Sequence, residues 1–273
     1  MTTDEIAALA LELGGFDRLP EDSAIHVPGR NIRRVLFGVD VGAGELLAAQ
    51  QLGFDLVIAH HPSGVYVDMW KLLLRHVAFM TAAGVPEAAA RAAVAERVEA
   101  MQLRGQIANN DQVPSVARLL GLPFMNLHAP LDEIGRRRMR QAVDRALAGP
   151  DPRAGDLLEA LAALPEMRAA PTTVQLMVGD PARRVRTVVV AHGALTNGGY
   201  PVASACFAHG VDAVVYIHID YGELQRLRAE GRGALIITGH LAGDALGFTP
   251  FLQALRARGL DVVTFSGVIE PAS

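Results

Sequence analysis

The stretch "RVLFGVDVGAGELLAAQQLGFDLVIAHHPSG", residues 34–64, decides the fold. The run RVLFGVDV has the length and apolar character of a strand, and GELLAAQQLG reads as a helix closed by Gly53. Residues 56–59, LVIA, are short and apolar throughout, as in a strand buried on both faces. Two strands joined by a helix make a βαβ unit with parallel strands. Ligands of such sheets gather at the carboxyl ends, where Asp40, His60 and His61 all fall. Successive side chains of an extended chain point to opposite sides, and Pro62 biases His61 towards the extended region. The two imidazoles therefore diverge. They are poorly placed to chelate one ion but able to serve two ions side by side, or one ion and one hydrogen-bond partner. For two histidines taken alone, a strand end with one packed and one solvated ring is the commoner outcome.

Around this unit the pattern stays α/β. Thr2 and Glu5 have capping-box spacing before IAALALELG, which predicts an opening helix, while PEDSAIHVPGRN reads as irregular. Helices are expected over 69–83 and 86–103, and in SVARLLGLP up to Gly121. FMNLHAPLD reads as a strand running into a loop. Residues 135–171 are helical and alanine-rich, broken at the linker-like AGPDPRAG. Strands TTVQLMVG, RTVVVAHG, DAVVYIHI, GALIITG and LDVVTF then alternate with helices near 201–208, in YGELQRLRAEG, and near 244–258. The β-then-α order of the first half recurs without an internal sequence repeat. The expected division is a first α/β domain over 1–134, a helical connection over 135–171 and a second α/β portion over 172–273, with the packing of its last strand and helix back on the first domain left open.

With 51% hydrophobic and 20% charged residues, a chain of 273 is globular rather than disordered, and its net charge of -4 offers no basic footprint for nucleic acid. The basic cluster RRRMR at 136–140 reads as a solvated helix face. Cys206 is the only cysteine, which excludes an intrachain disulfide framework and a thiolate metal cluster within one chain; its apolar setting favours a core role. A basic segment followed by an apolar leader core is absent, and no apolar run reaches the ~18 residues of a membrane span, so a cytoplasmic protein without membrane partners is expected.

Two further strand exits repeat one chemistry. His240 and Asp244 in GHLAGD are four apart, hence on one helical face if the first turn includes both. His128 and Asp132 in NLHAPLD have the same spacing. Alone, the His240 and Asp244 pair is explained equally well by a helix-start histidine beside an acid that complements the dipole. Together with His60 and His61 the two pairs supply imidazole nitrogens and carboxylate oxygens, the shell that zinc, iron or manganese accepts. His26, His76, His192 and His209 are expected to be non-ligands, His192 with least reason because it too ends a strand.

The motifs VIAHHP, LHAPLD and the later GH with an acid four residues on occur in this order in the Nif-three-like family, also called GTP cyclohydrolase 1 type 2-like, which the chain resembles over about 35–265. The resemblance implies two α/β domains around a dinuclear metal centre, assembled into a homohexameric ring. It implies that His60 and His61 each bind one of two divalent ions, that Asp132 bridges them, and that His240 and Asp244 complete the set; His128 takes a neighbouring or substrate-facing role. The chain departs from the family pattern at Asp244, where glutamate after serine is usual and Gly243 precedes here. It departs again at YIHID, with His218 and Asp220, and in lacking the N-terminal Trp-Asp-Asn motif.

The function expected from this reading is a dinuclear metal-dependent hydrolase for a phosphate ester or nucleotide-like small molecule, acting through a metal-bridging hydroxide with His128 as catalytic proton shuttle. The alternative from another class is a non-catalytic metal-binding or regulatory ring protein. A metal-free mononucleotide-binding protein fits the topology less well, because GVDVGAGE lacks the glycine spacing of a phosphate loop and Gly42 and Gly44 read as turn residues.

Overall fold

The computed structural model describes residues 1–64 and 67–271. In chain order the first part runs α1 (Thr3–Gly14), β1 (Ala24–Val27), β2 (Arg34–Gly38), α2 (Ala43–Gln51), β3 (Leu56–Ala59), α3 (Trp70–Leu73), α4 (Arg75–Ala82), α5 (Glu87–Ile107), α6 (Gln112–Leu120), β4 (Phe124–Asn126) and α7 (Ala129–Leu147). There follow α8 (Ala154–Ala162), α9 (Pro165–Ala169), β5 (Gln175–Val178), β6 (Val188–Val190), α10 (Gly199–Ala208), β7 (Ala213–Tyr216), α11 (Tyr221–Glu230), β8 (Ala234–Ile237), α12 (His240–Ala257) and β9 (Asp261–Phe265). Two sheets result, one of five strands in the order β1-β4-β3-β2-β9 and one of four in the order β5-β8-β7-β6. The opening βαβ unit is as the sequence predicts: β2 and β3 are parallel, with Val35 opposite Leu56 and Gly38 opposite Ala59.

The two α/β units interleave. Strand β9, from the end of the chain, pairs with β2 in the first sheet. Conversely Val77, Met80, Val85, Ala90 and Val94, from α4, α5 and the turn between them, are buried together with Val189, Val214 and Tyr216 of the second sheet. Helix α12 holds the units together: Phe248 and Phe251 meet Phe37 at ring separations of 5.5 and 6.3 Å, while Ala242 and Leu246 join the core beneath the second sheet.

Three local readings differ from the sequence expectation. The stretch after β4 is no loop, because α7 starts at Ala129 with Pro130 in its first turn and Asp132 close behind; proline at a helix start needs no amide partner, and an acid there meets the positive end of the dipole. PEDSAIHVPGRN is not wholly irregular: β1 pairs antiparallel with β4, and His26 lies in it, stacked on Phe124. The arginines of 136–140 are not a freely solvated face. Arg136 donates to Glu133 of the same helix, whereas Arg138 donates to the buried Glu166 and to the Leu246 carbonyl and Arg140 to the Val188 carbonyl, so the last two cross-link α7 to its neighbours.

His76 is buried in α4 and its Nε2–H donates to the Thr196 carbonyl at 2.9 Å, while Nδ1 has no partner. Burial pushes its pKa down to about 4, the Thr196 hydrogen bond notwithstanding. The unfolded chain therefore takes up this proton first, and stability falls as pH drops from about 6.5 until the folded state protonates as well near pH 4. The loss over that window is about 3 kcal/mol. His76→Gln is expected to flatten it, read as the difference between wild-type and variant urea midpoints across pH 4–7 in the presence of chelator; parallel curves would remove His76 as the cause.

Candidate metal centre

Three imidazoles are aimed into one space by what their other nitrogen does. His60 follows the last residue of β3, and its Nδ1 lies 3.1 Å from the Leu127 carbonyl. His61 sets Nδ1 2.8 Å from Asp40, and His128 sets Nδ1 2.6 Å from Asp22. A carbonyl or carboxylate at Nδ1 fixes the proton there and leaves Nε2 as the presenting atom, the arrangement by which ligating histidines are oriented. The rings sit together, His60 being 5.2 Å from His61 and 5.0 Å from His128 between centroids. His240 opens α12 and stacks on His61 at 5.0 Å.

Two buried carboxylates face these nitrogens. Asp244 Oδ2 is 3.3 Å from His240 Nε2, 3.5 Å from His61 Nε2 and 3.7 Å from His60 Nε2. Asp132 Oδ1 is 3.3 Å from His60 Nε2, and its Oδ2 is 3.6 Å from His128 Nε2. His240 opens α12 and Asp244 follows one turn later on the same face, as their spacing required. The short Asp244 side chain reaches because the helix backbone comes close. A Cβ on Gly243 would stand 2.3 Å from Ile217 Cγ2, and one on Gly247 would stand 2.1 Å from the Leu131 carbonyl oxygen.

The decisive feature is what these atoms lack. His60 Nε2, Asp132 Oδ1, Asp244 Oδ2 and also His192 Nε2 are buried without a hydrogen-bond partner. Leaving a buried polar atom unsatisfied costs about 1–3 kcal/mol, more for a charged group, and here such atoms converge. Ligands of one tetrahedral ion with bonds of 2.0–2.2 Å lie about 3.4 Å apart, too far for good hydrogen bonds and close to the separations present. His60, Asp132 and Asp244 form one group able to hold an ion, His61, His240 and Asp244 another, and His60, His61 and His128 a third. The residues present fit a metal centre.

Electrostatics agree with the chemistry. Burial resists ionisation of Asp132, but the His128, His192 and His60 imidazoles override it and hold the carboxyl well below the usual range. Asp244 is likewise held low against burial, chiefly through His61 and His60. Burial disfavours the His128 cation, yet Asp132 and Asp22 outweigh it and raise the pKa to about 10.

No family model matches the chain, and no curated protein matches it. Among solved structures it is 46% identical to a NIF3 superfamily protein from Sphaerobacter thermophilus, with 98% of each chain covered and a TM-score of 0.95. The chain belongs to the NIF3 superfamily. More distant structures share the fold alone: the protein ybgI, described as of unknown function, at 17% identity over 100% of both chains with a TM-score of 0.53, and reduced HcgD from Methanocaldococcus jannaschii at 12% over 97% of both with a TM-score of 0.56.

In this NIF3 superfamily chain, every residue expected at the metals, His60, His61, Asp132, His240 and Asp244, is in the cluster, with His128 beside them. His26, His76 and His209 are elsewhere: His26 bonds Asn126, His76 bonds Thr196, and His209 caps α10. His218 lies at the rim, 4.9 Å from the His240 ring, with Nδ1 2.8 Å from the Asn197 amide nitrogen, and Asp220 is exposed at the start of α11. Two participants escaped the sequence reading. Asp22 is buried, takes the His128 ring and accepts from Ser23 Oγ at 3.1 Å; it stands in the stretch that replaces the family's Trp-Asp-Asn motif, flanked by Glu21 and Ser23, and no local signal marks it. His192 is the other, and its place at a strand exit was the available signal. Among the described residues no helix is long and apolar enough to cross a membrane.

Proposed function

We propose that the protein is a dinuclear metal-dependent hydrolase acting on a phosphate ester or nucleotide-like small molecule. The observation that carries the reading is the convergence of partnerless buried nitrogen and oxygen atoms on one space. His61, His240 and Asp244 would hold one divalent ion, and His60 and Asp132 the other, with zinc, iron or manganese suited to such donors. Asp244 Oδ2 faces His60, His61 and His240 alike, which favours Asp244 over Asp132 as the bridging acid, the reverse of what the family resemblance implied. When bound, such a pair of ions supplies Lewis acidity and lowers the pKa of water for attack at phosphorus or carbon.

The remaining groups of the chain divide the work. His61 and His240 are the accessible ligands, with side-chain exposures of 21% and 44%, whereas His60, Asp132 and Asp244 are buried, so substrate approaches from the side of His61 and His240. A cavity of about 290 Å³ opens beside His61, lined by Asp40, Gly42, Glu45, Ser63 and Ser266. Its helix amide at Gly42 is already taken by Glu45 at 2.8 Å. Substrate phosphate would therefore be attracted by the ions rather than by a helix terminus. His128, held at Nδ1 by Asp22 and with Nε2 facing Asp132, is placed as a proton shuttle that takes up a proton at Nε2 during attack and passes it to the leaving group. The homohexameric ring belongs to the same proposal and is checked by light scattering of the purified chain.

Elemental analysis beside a panel of phosphodiesters, phosphomonoesters and nucleotides tests the reading. Two ions per chain with hydrolysis of one substrate class supports it. Two ions without turnover favours the non-catalytic ring protein, and no stoichiometric metal removes both. Loading has a second readout. Once Asp132 is engaged elsewhere it no longer stabilises the His128 cation, so metal uptake at pH 8 is expected to release at least about one proton per chain into weak buffer. His128→Gln should release correspondingly less; equal release from both would take the proton away from His128.

A further inference from the structure

His192 stands at the carboxyl end of β6, where the Ala191 amide still bonds the Val215 carbonyl at 3.0 Å and Gly193 turns the chain with φ of 72°. Its side chain is 3% exposed. Nε2 has no hydrogen-bond partner and lies 3.7 Å from Asp132 Oδ1, an oxygen that is also partnerless. That distance is too long for a hydrogen bond and suits two ligands of one ion. Space around the ring is kept by glycine: a Cβ on Gly135, one turn along α7 from Asp132, would stand 3.3 Å from His192 Nε2.

We propose that His192 is a direct ligand of the ion held by His60 and Asp132, an inference that rests on the metal-centre reading above. The ion on this side then takes His60, Asp132 and His192, with Asp244 shared. The opposite ion takes His61, His240 and Asp244. The consequence reaches beyond ligand count. His60 comes from the first sheet and His192 from the second, so this ion ties the two α/β units across α7. Neither sheet alone completes the site.

The test uses cobalt(II) as the probe, loaded into metal-free protein, with chelator competition to read each affinity. His192→Leu is expected to weaken one ion at least about 100-fold, beyond what loss of an outer-shell partner costs, and to leave the other unchanged. His192→Cys is expected to gain a near-ultraviolet thiolate-to-cobalt charge-transfer band absent from wild type, which a purely structural position cannot produce. If His192→Leu does not fold, His192→Cys decides alone. Two cobalt ions bound by His192→Cys without that band, or unaltered affinities in folded His192→Leu, overturn the assignment. When wild type holds two ions and the variants match it, only the role of His192 falls; when wild type holds none, the metal centre falls with it.

Discussion

Gly247→Ala is expected to destabilise the protein by more than about 3 kcal/mol and to abolish stoichiometric metal binding, although the change adds only one methyl group and removes no ligand. The added carbon would lie 2.1 Å from the Leu131 carbonyl oxygen and 2.7 Å from its carbonyl carbon, a backbone obstacle that no rotamer change clears. Helices α7 and α12 meet there, and Leu131 directly precedes Asp132. Relief requires separating the helices, which moves Asp132 and Asp244 apart and opens the core around Phe248 and Phe251. Gly44→Ala is the control, since a Cβ there meets nothing within 4 Å and the position is inside α2; a gain of about 0.5–1 kcal/mol is expected. Urea midpoints of the two variants check both, and a wild-type midpoint for Gly247→Ala would show that the contact is not the constraint it looks to be.

Much of this architecture was legible in the chain because the βαβ signal is strong. Short apolar runs bounded by glycine, each ending in a polar residue, place β2, β3, β6, β7 and β8 and bring their exits to one region. Residues four apart on a helix are neighbours whatever the fold, so His240 with Asp244 needed only a helix start at Gly239. What stayed hidden depends on contacts between distant segments. Asp22 has no motif around it, and its role exists only because β1 lies against β4 and brings it to His128. α7 was entered too late because Gly135 looked like a boundary, whereas it is the place where α7 is thin enough for α12 and His192 to approach. The packing of α4 and α5 on the second core likewise has no local signal, since each reads the same on either sheet, whereas the return of the last strand to the first sheet was among the arrangements the sequence offered.

The sharpest discrimination within the site is between its two buried acids. The family resemblance makes Asp132 the bridge and leaves Asp244 a terminal ligand, so that Asp132→Ala would empty both sites and Asp244→Ala only one. The distances argue for the opposite outcome. Asp244 Oδ2 lies within 3.7 Å of three imidazoles, His60, His61 and His240, which belong to both proposed ions. Asp132 Oδ1 and Oδ2 reach His60, His192 and His128 but no nitrogen of the His61 and His240 side. A carboxylate placed between two dications also screens their repulsion, so its removal costs each ion a ligand and leaves the pair repelling one another more strongly. Asp244→Ala is therefore expected to bring metal content towards zero, and Asp132→Ala to retain about one ion per chain on His61, His240 and Asp244, as ligand count dictates. Metal-to-protein ratios measured under identical loading decide it: two ions lost in Asp132→Ala and one kept in Asp244→Ala would restore Asp132 as the bridge, and equal stoichiometry in the two variants would leave neither acid bridging.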